Sequence, residues 1–92
     1  MIKSFSCKNT EALYQGHHVR KFEACASQAE RRLEILDNAK TIQDLMGLPS
    51  NHFEVLSGDC SGQFSIRANQ QWRVCFEWKE TDAYNVEIVD YH

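Results

Sequence analysis

The sequence predicts one α+β domain over residues 1–92, with an N-terminal strand and two to three helices packed on one face of an antiparallel sheet. Three observations support this fold class. An apolar stripe with helical spacing runs through the first half, the hydrophobic period changes to two near Asn51, and the helical segments precede the strands. Helices followed by a run of strands are typical of α+β proteins.

The first elements are short. "MIKSFSC" alternates apolar and polar residues imperfectly and indicates a brief first strand. Asn9 or Thr10 can cap a helix through "TEALYQ", because their side-chain oxygens can accept from free backbone N–H groups. Gly16 is expected to end that helix.

A longer helix follows and should end near Asp37 and Asn38. Its apolar residues recur at steps of three and four, which places them on one face. They are Phe22, Cys25, Ala26, Ala29, Leu33 and Leu36. Thr41 is then expected to cap a third, brief helix that Gly47 and Pro49 close.

Four strand candidates fill the second half and predict an antiparallel meander. They are "HFEVLS", "QFSIRAN", "QWRVCFEW" and "AYNVEIVDYH", with "GDCSG" as a loop after the first.

The two central strands place two cations together. Apart from Cys75, their apolar residues are even-numbered, so a shared core face requires paired numbers with an even sum. A three-residue loop at Asn69–Gln71 would therefore set Arg67 directly opposite Arg73, on the non-core face. Facing like charges repel by a few tenths to about 1 kcal/mol. A neighbouring carboxylate, such as Glu54 or Glu77, or an anionic ligand would relieve this, and simple solvation of both side chains is the alternative.

Charge, hydropathy and the spacing of Cys and His argue against several classes of function. The net charge is −3, from 10 Lys+Arg and 13 Asp+Glu, which argues against a general polycation that coats nucleic acid. No segment has the length and apolarity of a membrane span or a secretory signal, so a cytoplasmic protein without membrane association is expected. The 4 Cys and 4 His lack the close spacing of metal fingers, so no metal or cofactor is expected.

The segments "MIKSF", "SIRANQQWRVCFEW" and "VEIVDYH", together with the order of elements, resemble the HigB toxins of bacterial toxin–antitoxin pairs, in the RelE-like superfamily. The resemblance covers essentially the whole chain and implies the RelE-like microbial-RNase fold. It also implies a ribosome-dependent mRNA endoribonuclease that cleaves mRNA in the A site and inhibits translation. The implied partners are a HigA-type helix-turn-helix antitoxin, the 70S ribosome and mRNA, with operator DNA reached only through the antitoxin.

The chemistry implied by the resemblance uses no metal. A base takes the proton of the ribose 2′-OH, the oxygen attacks the phosphate, and an acid protonates the leaving 5′-oxygen, which gives a 2′,3′-cyclic phosphate. On this resemblance Arg67 and Arg73 hold the phosphate, His92 is the general acid or base, Tyr91 stacks on a base or ribose, and Asp90 orients His92 or a nearby donor.

The chain also departs from the family pattern. Relatives carry a His and a Lys where this sequence has Glu54 and Ser57. Glu54 can serve as the base, but a carboxylate cannot replace an imidazolium as the acid at neutral pH. His52 lies about 6.5 Å from residue 54 by strand rise. It is expected to contribute only if the strand shifts, so it ranks below His92. A weaker or slower toxin is therefore expected.

The net charge is negative, so contacts with the polyanionic ribosomal RNA are expected from basic residues in the helical half. The cations expected to make these contacts are Lys3, Lys8, Arg20, Lys21, Arg31 and Arg32. Two other functions remain open: a ParE-like inhibitor of DNA gyrase, and a toxin-derived interaction module without activity. Primer extension on mRNA after induction separates the three, because only the first predicts cuts within translated codons.

Overall fold

The computed structural model describes residues 1–56 and 62–90, and its helices precede its strands as predicted. The α-helices are α1 (Lys8–Tyr14), α2 (Ala26–Asn38) and α3 (Ile42–Met46), with 3₁₀ turns at Arg20–Cys25 and Pro49–Asn51. The strands are β1 (Glu54–Val55), β2 (Gln63–Arg67), β3 (Trp72–Lys79) and β4 (Asp82–Asp90). None of the helices in these two ranges is long and apolar enough to cross a bilayer.

The apolar stripe of α2 forms the centre of the core. Ala29, Leu33 and Leu36 are fully buried, as are Phe22 and Cys25 just before the helix. The helix ends at Asn38, as predicted, but its first predicted turn is a 3₁₀ turn over Arg20–Cys25. The stripe therefore identified the buried face correctly and placed the start of the α-helix one turn too early.

The predicted cap of α1 is wrong. The helix begins at Lys8 with Cys7 as its N-cap, so Asn9 and Thr10 lie inside the first turn. Thr10 is fully buried, and its hydroxyl accepts a hydrogen bond of 3.0 Å from the Ile88 N–H of β4. The side chain joins the helix to the sheet instead of capping the helix.

The cap of α3 is confirmed. The Thr41 hydroxyl accepts from the Asp44 N–H at 3.1 Å, and the Asp44 carboxylate accepts from the Thr41 and Lys40 N–H groups. These two backbone bonds lower the pKa of the Asp44 carboxyl group. Such a reciprocal pair is a capping box.

The predicted N-terminal strand is reduced to two isolated bridges. Ile2 and Phe5 pair in parallel with Ala83 and Val86 of β4. The Ile2 N–H donates to the Asp37 carboxylate at 2.8 Å, outside any ladder. A strand needs consecutive ladder pairs, and the bridges at Ile2 and Phe5 are three residues apart.

The sheet is the predicted antiparallel meander, in the order β1-β2-β3-β4. Ile66, Val74 and Phe76 are fully buried against the helices, which confirms the even-numbered core face of β2 and β3. Of the predicted strand "HFEVLS", residues 52–56 are described, and within them β1 comprises Glu54 and Val55, which pair with Ser65 and Phe64. The predicted "GDCSG" loop lies largely outside the described residues.

A bulge interrupts β4, which the sequence did not predict. Cys75 pairs with Glu87, but Glu77 pairs with Tyr84, so β4 has one extra residue between these rungs. Asn85 adopts a left-handed φ of 53° there. The buried residues of β4 consequently change parity, from Ala83 before the bulge to Val86 and Ile88 after it.

Candidate active site

The turn between β2 and β3 brings the two arginines together. Arg67 pairs directly with Arg73, as the parity of the apolar residues predicted. The turn is closed by Asn69, whose side-chain oxygen accepts from the Gln71 and Trp72 N–H groups, each at 2.8 Å. Asparagine favours such local turns because its side chain can mimic a backbone carbonyl. The sequence therefore fixes both the turn and the rung on which the cations lie.

Arg73 is buried, with 5% of its surface exposed. Its Nε donates to the Ser65 hydroxyl at 2.8 Å, and one terminal nitrogen donates to the backbone carbonyl of His52. Ser65 itself is fully buried on this non-core side of the sheet. Simple solvation on an open sheet face is therefore excluded for Arg73, whose guanidinium is held in a fixed position.

Arg67 is half-buried and less constrained. Its Nε donates to the backbone carbonyl of Asn69 at 3.2 Å. A guanidinium carries five N–H donors, and this is the one bond that the Arg67 side chain makes to residues 1–56 and 62–90, so it leaves most donors for a ligand as far as those residues are concerned. The pair thus combines one anchored cation with one adjustable cation.

Both arginines line a cavity of about 270 Å³. The other lining residues are His52, Glu54, Asn69 and Gln70. Glu54 of β1 pairs with Ser65 of β2, and the hydroxyl of Ser65 accepts from Arg73 of β3, so β2 alone separates the carboxylate from the anchored arginine. Two guanidinium groups and a carboxylate around one cavity can bind a phosphate and accept a proton beside it.

His52 lies on this cavity without any shift of β1, contrary to the expectation from strand spacing. It precedes the strand and ends the Pro49–Asn51 turn in the left-handed region, with φ 43° and ψ 54°. Strand spacing therefore does not apply to it. Its side chain is exposed, and only its backbone is bonded within residues 1–56 and 62–90. Sequence reasoning could not place this residue at the cavity, because a left-handed histidine leaves no periodic signal.

Asp90 does not line the cavity. It ends β4 opposite Trp72, which belongs to the core face, and its carboxylate accepts from the Gln71 side chain at 3.1 Å. The residue before it, Val89, pairs with Arg73, so β4 runs beside the anchored arginine. Tyr91, His92 and Ser57, to which the sequence analysis gave roles, lie outside the described residues.

The basic residues of the helical half divide into two groups. Lys3, Lys8, Arg20, Lys21 and Arg31 are exposed. Arg32 is half-buried, and its guanidinium donates to the side-chain oxygen of Asn51 at 2.8 Å. Burial, with a smaller effect from the Arg31 charge, lowers the pKa of Arg32. Arg32 is thus a bridge between α2 and the turn before His52, not the exposed cation expected.

The family is decided by a match over nearly the whole chain. The model of the RelE-like toxin of the type II toxin–antitoxin system HigB matches residues 3–92. The chain belongs to this HigB-like toxin family. Endoribonuclease HigB of Proteus vulgaris is 31% identical over 93 residues, and the alignment covers 100% of this chain and 100% of that relative. Toxin HigB-1 of Vibrio cholerae is 47% identical over 58 residues, which are 63% of this chain and 61% of that relative.

Solved structures agree on the fold of this HigB-like chain. The YoeB–YefM complex from Staphylococcus aureus contains a chain with a TM-score of 0.61 and 14% identity, over 100% of this chain and 98% of that one. A YafQ variant from E. coli has a TM-score of 0.60 and 12% identity, and the superposition covers 98% of this chain and 93% of that one. At these identities the likeness concerns the fold alone, which is the α+β fold predicted.

Proposed function

We propose that this HigB-like toxin is an endoribonuclease that cleaves mRNA in the A site of the ribosome and thereby inhibits translation. The observation that carries the proposal is the cavity that holds Arg67, Arg73 and Glu54 together in a member of this family. The relative named Endoribonuclease HigB, which aligns over the whole chain, supports the reaction class.

In this proposal the scissile phosphate binds between the two arginines. Arg73 is held by Ser65 and the His52 carbonyl, so it is oriented before the substrate arrives. Glu54 and His92 serve in proton transfer, with Tyr91 against the base or ribose and Asp90 as an orienting group. The 2′-oxygen attacks the phosphorus and the 5′-oxygen leaves, so the product ends in a 2′,3′-cyclic phosphate without a metal ion.

The proposed partners follow from the family. A toxin of a type II system has an antitoxin, and we propose a HigA-type helix-turn-helix protein that neutralises this chain and alone contacts operator DNA. The 70S ribosome and its mRNA are the proposed targets, which requires a cytoplasmic protein.

Primer extension on total mRNA after induction without antitoxin tests the proposal. The parent chain should give cuts within translated codons, and Arg67→Ala should remove them. Lys79→Ala is the matched control, because Lys79 is an exposed cation at the opposite end of β3. Intact mRNA with DNA damage would favour the gyrase-inhibitor function instead, and intact mRNA without DNA damage would favour an inactive interaction module.

His92→Ala provides the second test. If His92 takes part in proton transfer, this variant should fold as the parent does and lose cleavage and growth arrest. Unchanged growth arrest and mRNA cleavage would remove His92 from the mechanism without affecting the assignment of the two arginines.

A further inference from the structure

We propose that His52 is the general acid of the cleavage reaction, donating the proton to the leaving 5′-oxygen. The inference rests on the proposed endoribonuclease function, and it assigns the acid role to His52, so that the proton transfer proposed for His92 lies on the base side of the reaction together with Glu54. It follows from three observations: the backbone conformation of His52, the contacts that hold that conformation, and the chemistry of the residues around the cavity.

The backbone of His52 is in a sparsely populated conformation. With φ 43° and ψ 54°, it occupies the left-handed region, where glycine is the least strained residue. Such conformations persist only where surrounding contacts impose them, and they concentrate at functional sites. Histidine tolerates this region better than most residues but less well than glycine, so the backbone conformation alone does not require an imidazole here.

Buried polar contacts hold this conformation on both sides. The His52 N–H donates to the Pro49 carbonyl at 3.1 Å, and the His52 carbonyl accepts from Arg73. The preceding Asn51 is fully buried, and its side chain donates to the Leu45 carbonyl at 3.0 Å and accepts from Arg32 at 2.8 Å. His52 thus orients Arg73 through its backbone carbonyl and also presents its imidazole at the cavity.

The cavity residues differ in what they can do with a proton. The guanidinium and amide groups that line the cavity are hydrogen-bonding groups and not proton-transfer groups. A carboxylate can act as a base but is a poor acid at neutral pH. Among the described lining residues, His52 alone carries an imidazole, the side chain that most often serves as a general acid.

The reaction then balances within the cavity. Glu54 accepts the proton of the 2′-OH as the bond between the 2′-oxygen and phosphorus forms. The bond between phosphorus and the 5′-oxygen breaks, and the imidazolium of His52 protonates that oxygen. The two arginines neutralise the charge that develops on the non-bridging oxygens.

The test uses the full chain with ribosomes programmed with two mRNAs. One is unmodified, and the other has sulfur in place of the 5′-bridging oxygen at the scissile position, because a thiolate leaves without protonation. The variant is His52→Asn, since asparagine also tolerates left-handed φ values and keeps the carbonyl that binds Arg73. His17→Asn is the matched control at an exposed histidine that does not line the cavity.

On the unmodified mRNA, His52→Asn should cleave about 10²–10⁴-fold more slowly than the parent, as is typical for loss of a general acid. On the sulfur-substituted mRNA it should cleave within a few-fold of the parent, whereas Glu54→Gln should remain slow on both. Equal losses on both substrates would overturn the role of His52 as the acid, and so would unchanged cleavage of the unmodified mRNA. A parent chain that cleaves neither mRNA would instead overturn the proposed function itself, and this inference with it.

Discussion

Arg67 and Arg73 occupy one rung of the sheet but have different surroundings. Arg73 is almost fully buried and bonded to Ser65 and His52, whereas Arg67 is half-buried and bonded to one backbone carbonyl. The two residues should therefore affect stability differently even though both are proposed to hold the phosphate.

Arg73→Ala is expected to lower the free energy of unfolding by about 1–3 kcal/mol, because buried acceptors lose their donor. Arg67→Ala should change it by about 0.5 kcal/mol or less. Urea denaturation of both variants measures the difference. A loss of cleavage in Arg73→Ala would therefore combine an effect on stability with an effect on the site. If Arg67→Ala lowered the free energy of unfolding as much as Arg73→Ala, the anchoring described for Arg73 would be contradicted.

Tyr14 provides a pH-dependent prediction. Burial, the hydrogen bond with Asp37, and the charges of Asp37 and Glu34 raise its pKa from 10.0 to about 12. The unfolded chain therefore releases this proton first as the pH rises, so the stability contribution is complete below pH 10 and is lost between about pH 10 and 12.

Tyr14→Phe should accordingly show a smaller loss of stability over this alkaline range than the parent. Urea denaturation at a series of pH values measures it, and Tyr84→Phe is the control at another tyrosine. Identical alkaline slopes for the parent and Tyr14→Phe would show that Tyr14 ionises equally in the folded and unfolded chains.

The sequence predicted part of the site at this scale. Alternation and an Asx turn are local, so the rung shared by Arg67 and Arg73 could be derived from residues 63–78 alone. The burial of Arg73 could not, because it depends on the carbonyl of His52, which approaches from a distant turn. The conformation of His52 was equally hidden, since it results from the contacts of Asn51 with α2 and α3.

At the scale of elements, the β4 bulge depends on Asn85. Its φ of 53° suits glycine or asparagine, and its side chain also donates to the Glu77 carboxylate at 2.7 Å. A β-carbon in this region costs about 1–2 kcal/mol for most residues.

Asn85→Gly and Asn85→Ala separate the two contributions, because both remove the bond to Glu77 but only alanine adds the strain. We expect Asn85→Gly to be more stable than Asn85→Ala by about 1 kcal/mol in urea denaturation. If alanine proved the more stable residue, the left-handed conformation at this bulge would be wrong.

Element order and core faces were largely predictable, since the periods of 3.6 and 2 identify the buried sides of α2, β2 and β3. Three features were not. Thr10 looks like a helix cap but bonds to β4, the N-terminal residues pair only at Ile2 and Phe5, and Asn85 shifts the parity of β4. Each depends on contacts between residues far apart in sequence, which local periodicity does not record.

At the scale of the whole molecule, the cations differ in their position relative to the cavity. Arg20 and Lys21 belong to the turn whose Phe22 packs against Trp72, at the β2–β3 end of the sheet that holds the cavity. Lys79 lies at the opposite end of β3, and Lys40 lines a cavity there with Thr81 and Asp82.

Two double variants, each of which removes two positive charges, test whether cations near the cavity end of the sheet matter more than those at the opposite end. If the ribosome is the target, as proposed above, Arg20→Gln with Lys21→Gln should weaken association with ribosomes and reduce its dependence on salt, because fewer phosphate contacts release counterions. Lys40→Gln with Lys79→Gln should have a smaller effect. Sedimentation with ribosomes over a range of salt concentrations measures both, and equal losses would indicate attraction by net charge alone.

The bridges from Ile2 and Phe5 to β4 have a consequence for synthesis of the toxin. These residues find their partners, Ala83 and Val86, only after the chain has been translated beyond residue 86. Val89, which pairs with Arg73, belongs to the same late strand. A nascent chain that has not reached β4 therefore lacks the pairing of its first residues and the strand beside its anchored arginine. The complete sheet can therefore form only once β4 has been synthesised.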